Sequence, residues 1–161
     1  MVAAAWHDAG YGGAYQEHGF ATEEAYAAHL ATSHLTRQGA ETADITLVHE
    51  AILATQLHAG RRALYGLALH RADIDNLGGP YDKFLDANTR LWHEAAVLGA
   101  PLSWEEHQSQ TEKFITFTVA EAKQDLPRLA EHVGTPHAFD TVATQNLECY
   151  LMETTPITTV K

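Results

Sequence analysis

Two adjacent residues near the start of the chain, His7 and Asp8, are of types that bind metal ions. An imidazole favours borderline metals such as Mn, Fe, Co, Ni or Zn, and a carboxylate oxygen can bridge two cations. The pair follows an alanine-rich stretch and Trp6, and glycines come soon after it, so we expect it at a helix end. By itself the dipeptide favours a simpler interpretation, an aspartate at a helix terminus beside a surface histidine.

The overall composition limits what the chain can do. Of its 161 residues 45% are hydrophobic and 19% are charged, which excludes a disordered chain. The formal net charge of -11 repels phosphate backbones and anionic lipids, so we expect no bulk nucleic-acid binding and no membrane association. Eleven histidines outnumber ten Lys and Arg residues, and histidine is therefore the unusual feature of the composition.

Cysteine usage and hydropathy point to the cytoplasm. Cys149 is the single cysteine, so an intrachain disulfide is excluded, and its apolar helical surroundings predict a buried, inert thiol. The first residues have no basic region before an apolar run, and no segment approaches the roughly 20 apolar residues of a membrane span. We therefore expect a cytoplasmic protein.

Apolar residues recur at helical spacing, and period-2 strand patterns are almost absent. The sequence predicts an all-α, compact, single-domain helical bundle over residues 1–155, followed by a loose tail at 156–161. Thr22 is a candidate N-cap for the helix that begins at Glu23, and Thr42 or Asp44 for the helix that begins at Ile45. Helices are predicted over residues 23–35, 45–58 (closed by Gly60), 61–73, 81–98, 103–123, about 127–132, and from 135 to the end of the domain.

Two of these predictions are detailed enough to be checked closely. Ser103 and Glu106 form an S-x-x-E capping box, and Pro127 is expected to end one helix and begin another. Trp6, Trp92 and Trp104 are expected in the core. The residues expected to pack from the helix at 81–98 are Tyr81, Phe84, Leu85, Asn88, Leu91, Trp92, Ala95 and Leu98, followed in the next helix by His107, Thr111, Phe114, Ile115 and Thr118.

Several segments together resemble one family. Ala4–Tyr11, with its His-Asp pair, is similar to the signature of the HD-superfamily metal-dependent phosphohydrolases. Ala51–His58 resembles the family's "I-L-A-T" helix, and Arg71–Gly78 resembles its "A-D-[LI]-x-x-L-G" element. Arg90–Glu94 resembles an "R-x-x-x-E" stretch. These elements occur in the family's order, and with Ala143–Leu147 the resemblance covers nearly the whole chain.

The resemblance implies a fold and an activity. It implies a helical domain of the HD type that holds one or two divalent cations, with His7, Asp8 and Asp73 as ligands and Asp8 as the bridging, catalytic residue. The cation would be Mn, Fe, Co, Ni, Zn or Mg, and it would activate a water molecule. The implied activity is hydrolysis of a small phosphate ester, a nucleotide or a related phosphomonoester or diester.

One feature departs from the family pattern. Members place another metal-binding histidine on a helix upstream of the His-Asp pair, whereas only six residues precede His7 here. The expectation is therefore a domain that lacks the first helix and its histidine. A shortened domain, substitution by another histidine, an extra water on the metal and an inactive site all stay open. Apolar surface that the helix would have covered predicts a homo-oligomer.

Other residues are candidates for a second metal or for substrate. Glu17 and His18 follow the His-Asp pair, where many family members carry an acidic or imidazole group, and His58 ends the "I-L-A-T" helix. His34 and His49 are weaker candidates, and each histidine also fits a solvated helix position. Arg90 can bind phosphate bidentately or pair with Glu94. Asp75 competes with Asp73 as a ligand, and it also fits a cap of the next turn.

A second function from another class fits the same sequence. The chain can be a catalytically inactive, HD-like helical module for binding or assembly, which kept the fold and lost the site. Some relatives in the superfamily use paired iron for oxygenation, and nothing in this sequence selects that chemistry.

Overall fold

The computed structural model describes residues 2–56, 63–133 and 138–155, and every regular element in these ranges is a helix. The all-α fold class is confirmed. The chain divides into two compact units, an N-terminal unit, Met1–Asp73, and a C-terminal unit, Ile74–Lys161. The single domain over 1–155 stays a prediction, and the expected tail at 156–161 lies outside the described residues.

The N-terminal unit is held together by small side chains. Helices α3 and α4 pack against each other, α5 packs on α4, and α1 contacts both α3 and α4. Alanines supply most of the buried residues, and small side chains let helix axes approach to the short end of the usual range of about 8–10 Å. The helices are α1 (Val2–Trp6), α2 (Ala14–Glu17), α3 (Glu23–Arg37), α4 (Thr42–Leu53) and α5 (Leu64–Asp73). The buried cluster is Ala3, Ala27, Ala28, Ala31, Ala51, Ile52 and Leu69.

A glycine allows α5 to lie close to α4. A Cβ added at Gly66 would collide with the Cβ of Ala54, and the Cα of Ala51 is also near. Glycine is therefore required by this close approach rather than by the backbone conformation. Asp73 is the last residue of α5, so the packing at Gly66 decides where that carboxylate lies.

The predicted bounds of α4 are wrong at both ends. The helix begins at Thr42, so Thr42 and Asp44 lie inside it instead of capping it. It ends at Leu53, and the Thr55 hydroxyl donates a hydrogen bond of 2.7 Å to the carbonyl oxygen of Ile52. A threonine side chain that bonds a backbone carbonyl competes with continuation of the helix. Gly60, the predicted stop, lies outside the described residues.

The C-terminal unit is built around aromatic and branched side chains. Helix α8 packs on α6, on α7 and on a short 3-10 helix, and the Asn146 amide donates to the carbonyl oxygens of Leu77 and Gly79, each at 2.9 Å. The elements are the 3-10 helix (Asp75–Gly78), α6 (Tyr81–Val97), α7 (Trp104–Val133) and α8 (Phe139–Leu151). The largest core members are Phe84, Leu85, Trp104, Ile115, Phe139, Leu147 and Tyr150.

Both predicted helix starts with side-chain caps are confirmed. The Thr22 hydroxyl accepts a hydrogen bond of 3.2 Å from the backbone N–H of Ala25. At the start of α7 the Ser103 hydroxyl accepts from the backbone N–H of Glu106 at 3.2 Å, and the Glu106 carboxylate accepts from the N–H of Ser103 at 2.8 Å. These reciprocal bonds satisfy donors that a helix end otherwise leaves free.

The predicted buried faces are confirmed only in part. In α6 the buried residues lie in its first half, where it meets the 3-10 helix and α8, whereas Leu91 and Leu98 are 48% and 53% exposed. Phe114 of α7 is 41% exposed, which also differs from the prediction. Among the tryptophans, Trp104 is buried and the other two are half-buried against the cores. Cys149 is exposed, because α8 turns a different face toward the core.

Pro127 does not divide the helix that contains it. Helix α7 continues from Trp104 to Val133, which contradicts the predicted break. Proline lacks one N–H donor, but its fixed φ is itself helical, so the neighbouring turns can continue the helix. Although α7 has 30 residues, no helix in the described ranges combines enough length and apolar character to cross a membrane.

His107 is a buried titratable group in the core of the C-terminal unit. Its Nε2 lies 3.0 Å from the carbonyl oxygen of Asn88, and its ring lies beside Trp104 and Tyr150. Burial lowers the pKa of His107 from its ordinary value of 6.5, and the hydrogen bond to Asn88 opposes part of that effect. The core therefore favours the neutral ring.

We expect the C-terminal unit to lose stability as the pH falls below about 6.5, because the unfolded chain then binds a proton that folded His107 resists. The contribution is complete above that pH and is lost as the pH falls through it toward the lower folded-state pKa. The variant His107→Gln should flatten the dependence of the unfolding free energy on pH, measured by urea denaturation at tryptophan fluorescence. The exposed His93→Gln serves as the control, and an unchanged slope in His107→Gln would contradict the prediction.

Candidate metal centre

His7 is fixed by the end of α1, which it follows directly. Its backbone N–H donates to the carbonyl oxygen of Ala3 at 3.0 Å, and its Nδ1 lies 3.0 Å from the carbonyl oxygen of Ala4. A carbonyl can only accept, so Nδ1 carries the proton in that bond. The other ring nitrogen, Nε2, is thereby directed away from the helix end, as in protein sites where a backbone carbonyl orients a metal-binding imidazole.

Two carboxylates face this nitrogen. The Nε2 atom of His7 lies 3.2 Å from Oδ2 of Asp8 and 3.2 Å from Oδ1 of Asp73, which is 66 residues away along the chain. A neutral nitrogen lone pair aimed at two carboxylates is repelled by both. The arrangement is therefore favourable only with a positive charge between these atoms, either a second proton on His7 or a cation.

The spacing of the three ligand atoms suits a single cation. One atom from each of His7, Asp8 and Asp73 lies within 4.8 Å of the other two. With metal–ligand distances of roughly 2.0–2.2 Å, adjacent ligands of a tetrahedral site are about 3.4 Å apart, close to the two contacts of 3.2 Å seen here. Among the described residues, this is the group of three His, Cys, Asp or Glu side chains that meets the criterion.

The three side chains differ in exposure. The His7 side chain is 18% exposed, that of Asp73 33% and that of Asp8 74%. Burial raises the pKa of Asp73 above its ordinary 3.8, and the charges of Asp8 and Glu24 raise it further, whereas His7 lowers it. The inner carboxylate is therefore held in a site that disfavours its charge, while the outer one, Asp8, faces solvent.

Sequence reasoning missed two acidic residues that surround this group. Glu23 and Glu24 occupy the first turn of α3, and the charge of Glu24 acts on Asp73 while that of Asp8 acts on Glu23. Acidic residues in a first turn are common because they interact with the helix dipole. Their spacing therefore carried no metal signal, and only the packing of α3 against α1 brings their charges near the site.

The other sequence candidates lie outside the group of three. Glu17 ends α2 and His18 caps it; both are exposed, and the His18 ring stacks on Tyr26 with centroids 4.8 Å apart. Asp75 lies in the 3-10 helix of the C-terminal unit, away from the cap role predicted for it, because Ile74 precedes that helix. The rings of His34 and Trp6 lie 5.2 Å apart, His49 is half-buried in α4, and His58 lies outside the described residues.

Arg90 belongs to the C-terminal unit and forms an ion pair there. Its Nη2 lies 2.7 Å from Oδ2 of Asp86, one turn earlier in α6. The sequence offered Glu94 as the alternative partner on the following turn, and the observed pair runs in the opposite direction. An exposed pair of this kind contributes at most about 1 kcal/mol, so it leaves the guanidinium able to exchange partners.

Comparison of the chain with protein-family models, with curated proteins and with solved structures finds no match. The likeness to the HD superfamily therefore stays a prediction from the sequence motifs. Independently of that likeness, the geometry brings together the three residues that the motifs assigned as metal ligands, and it leaves Glu17, His18 and Arg90 in other contacts.

We expect the variant Asp73→Asn to be more stable than the wild type in the presence of EDTA near neutral pH, by up to about 1 kcal/mol. The raised pKa of Asp73 means that its charge opposes folding above its ordinary value of 3.8. Asparagine removes that charge and still offers an oxygen to His7. As the pH falls and the wild-type carboxylate protonates, the advantage should disappear.

Chemical denaturation of both proteins across this pH range measures the effect. The matched control is Glu50→Gln, an exposed carboxylate on α4 that should change the unfolding free energy by no more than about 0.5 kcal/mol. If Asp73→Asn is destabilised at every pH, then the Asp73 charge stabilises the fold and the expected electrostatic conflict is absent.

Proposed function

We propose that this chain is an HD-type, metal-dependent hydrolase that acts on a small phosphate ester, such as a nucleotide or a related phosphomonoester or diester. The observation that carries the proposal is the convergence of His7, Asp8 and Asp73, in which two carboxylates face one imidazole nitrogen. The order of the sequence motifs supports the HD type of helical domain. Proposed cofactors are Mn, Fe, Co, Ni, Zn or Mg.

In this proposal, His7 and Asp73 are the inner ligands. The hydrogen bond from Nδ1 of His7 to Ala4 fixes the ring, so that Nε2 can bind a cation without reorientation. A bound divalent cation supplies charge neutralisation at phosphoryl oxygens and lowers the pKa of water. It also replaces a proton between His7 and the carboxylates, so its affinity should fall as the pH falls.

Asp8 has a different part in the reaction. Its side chain is the most exposed of the three, so one of its oxygens can face a ligand while Oδ2 stays near His7. As a carboxylate it can accept a proton from the attacking water. The water oxygen forms a bond to phosphorus, the ester P–O bond breaks, and the departing alcohol takes up a proton.

The charge of the protein explains why the proposed activity requires a cation. Asp8, Asp73, Glu23 and Glu24 surround the site with carboxylates, and the chain as a whole carries a formal charge of -11. Such a field repels a phosphate ester. A divalent cation reverses the local sign, so binding of substrate and binding of metal should be coupled.

Further parts of the proposal concern residues and surroundings. Glu17, His18, His58 and Arg90 remain candidates for a second metal or for substrate. A cytoplasmic location and a homo-oligomer remain predictions, and light scattering of the purified protein tests the second. Exposed apolar side chains in the second half of α6, Leu91 and Val97, are compatible with such an association.

Elemental analysis of the purified chain tests the proposal before any substrate is chosen. We expect a transition metal near one equivalent in the wild type and little in Asp8→Ala or Asp73→Ala, with both variants still helical by circular dichroism. Asp44→Asn, an exposed carboxylate in α4, is the control and should keep the metal. No metal in the wild type, even after incubation with Mn²⁺ or Co²⁺, would instead favour an inactive helical module for binding or assembly.

With metal present, release of phosphate from a panel of small phosphate esters should follow the metal content. We expect Asp8→Ala to lower the rate by at least about 100-fold, the scale of losing a proton-transfer group. Unchanged activity in Asp8→Ala would remove the assignment of this site, and metal binding without hydrolysis of any ester would separate the metal site from the proposed reaction.

Saturating metal should also invert the order of stability that we expect in EDTA. At 100 times the dissociation constant a ligand stabilises the folded state by about 2.7 kcal/mol. The wild type should gain this amount, whereas Asp73→Asn should gain much less because it lacks one anionic ligand. Thermal denaturation with EDTA and with Mn²⁺ measures both, and equal gains in the two proteins would place the metal elsewhere.

A further inference from the structure

The loop that follows Asp8 is attached to the first turn of α3 through a side chain. The Glu23 carboxylate accepts hydrogen bonds from the backbone N–H groups of Gly12 and Gly13. Both glycines have positive φ, 91° and 89°, a conformation that glycine adopts without steric cost. One carboxylate therefore holds two consecutive peptide groups of the loop.

The same loop meets α3 at a second point. A Cβ added at Gly10 would lie 2.5 Å from the carbonyl oxygen of Glu23 and 3.3 Å from Cδ1 of Tyr26. The neighbouring atom at the shorter distance belongs to the backbone, which cannot rotate away as a flexible side chain can. The segment 10–13 thus lies directly on the start of α3, and only glycine fits at the closest approach.

This attachment matters for Asp8 because few other contacts hold it. The Asp8 side chain is 74% exposed and lies near His7. Its backbone carbonyl accepts from the N–H of Tyr11 at 3.1 Å, so Asp8 belongs to the turn that the loop continues. The chain on one side of Asp8 is fixed by α1, and the chain on the other side is fixed by Glu23.

We propose that Glu23 is a positioning residue for the candidate metal centre, which anchors the loop 10–13 through its backbone and thereby holds Asp8 opposite His7 and Asp73. This inference rests on the proposed function for its consequence, because it predicts an effect on metal binding. Glu23 itself contributes no ligand in this proposal. Residues that orient ligands from outside a metal site typically change its affinity by roughly 10- to 100-fold.

A structural explanation of Glu23 has to be separated from this one. A glutamate in a first turn also stabilises its helix through the dipole, and Glu24 is in the same turn with the same charge. The N-cap is already supplied by Thr22. Glu24→Gln is therefore the matched control, since it removes an equal charge near Asp73 while the bonds to Gly12 and Gly13 stay in place.

The experiment measures Co²⁺ affinity by spectroscopic titration in the full chain, for the wild type, Glu23→Ala, Glu23→Gln and Glu24→Gln. We expect Glu23→Ala to weaken Co²⁺ binding by roughly 10- to 100-fold. Glu23→Gln keeps an acceptor oxygen and should recover part of the affinity, and Glu24→Gln should lose less than Glu23→Ala. Hydrogen exchange in EDTA should show faster exchange of the Gly12 and Gly13 amides in Glu23→Ala than in the wild type.

A second variant approaches the loop from the opposite side. Gly10→Ala leaves Glu23 intact but forces the loop away from α3, so it should weaken Co²⁺ binding as well. Circular dichroism of each variant shows whether α3 and the rest of the chain remain helical. Because Gly10 carries no charge, a loss in this variant cannot come from electrostatics.

The outcomes separate the inference from the proposed function. Wild type that binds Co²⁺, with Glu23→Ala binding equally well, overturns the inference and leaves the metal site intact. A loss in Glu24→Gln as large as that in Glu23→Ala assigns the effect to charge and overturns it too. Wild type that binds no Co²⁺ overturns the proposed function, and with it the site that Glu23 would position.

Discussion

The N-terminal unit is organised around one imidazole nitrogen. Nε2 of His7 lies between the carboxylates of Asp8 and Asp73, while Nδ1 is held by the carbonyl oxygen of Ala4. Because one face of the ring is committed to the helix end, its other nitrogen cannot turn away from the two negative groups. The site therefore needs a positive charge, and a divalent cation meets that need more completely than a proton does.

This arrangement depends on how closely the helices approach. Alanines of α1, α3 and α4 form the buried surface of the unit, and Gly66 lets α5 lie against α4. A larger residue at Gly66 would move α5, and Asp73 lies at its end. Small side chains bury little apolar area, so this packing provides less hydrophobic stabilisation than a core of branched or aromatic residues. The C-terminal unit, with Phe84, Phe139 and Tyr150 fully buried, has the opposite character.

The charges in the candidate site oppose folding when no cation is bound. The raised pKa of Asp73 and that of Glu23 have the same first cause, burial of a carboxylate, and a neighbouring negative charge adds to it in both. A cluster that costs stability but places ligand atoms together is what a binding site requires, because the ligand then supplies the missing stabilisation. A surface with no ligand gains nothing from such a cluster.

The sequence by itself determined the all-α class, the capped starts of α3 and α7, most of α6, and the three residues that converge near the start of the chain. These follow from local chemistry: helical spacing of apolar residues, side-chain caps, and residue types that bind metals. Tertiary structure alone decided where α4 ends, that α7 passes through Pro127, that Leu91 and Phe114 stay exposed, and that Glu23 reaches Gly12 and Gly13. Each of these depends on which surfaces meet in space, and residues far apart in the chain carry no local sign of that meeting.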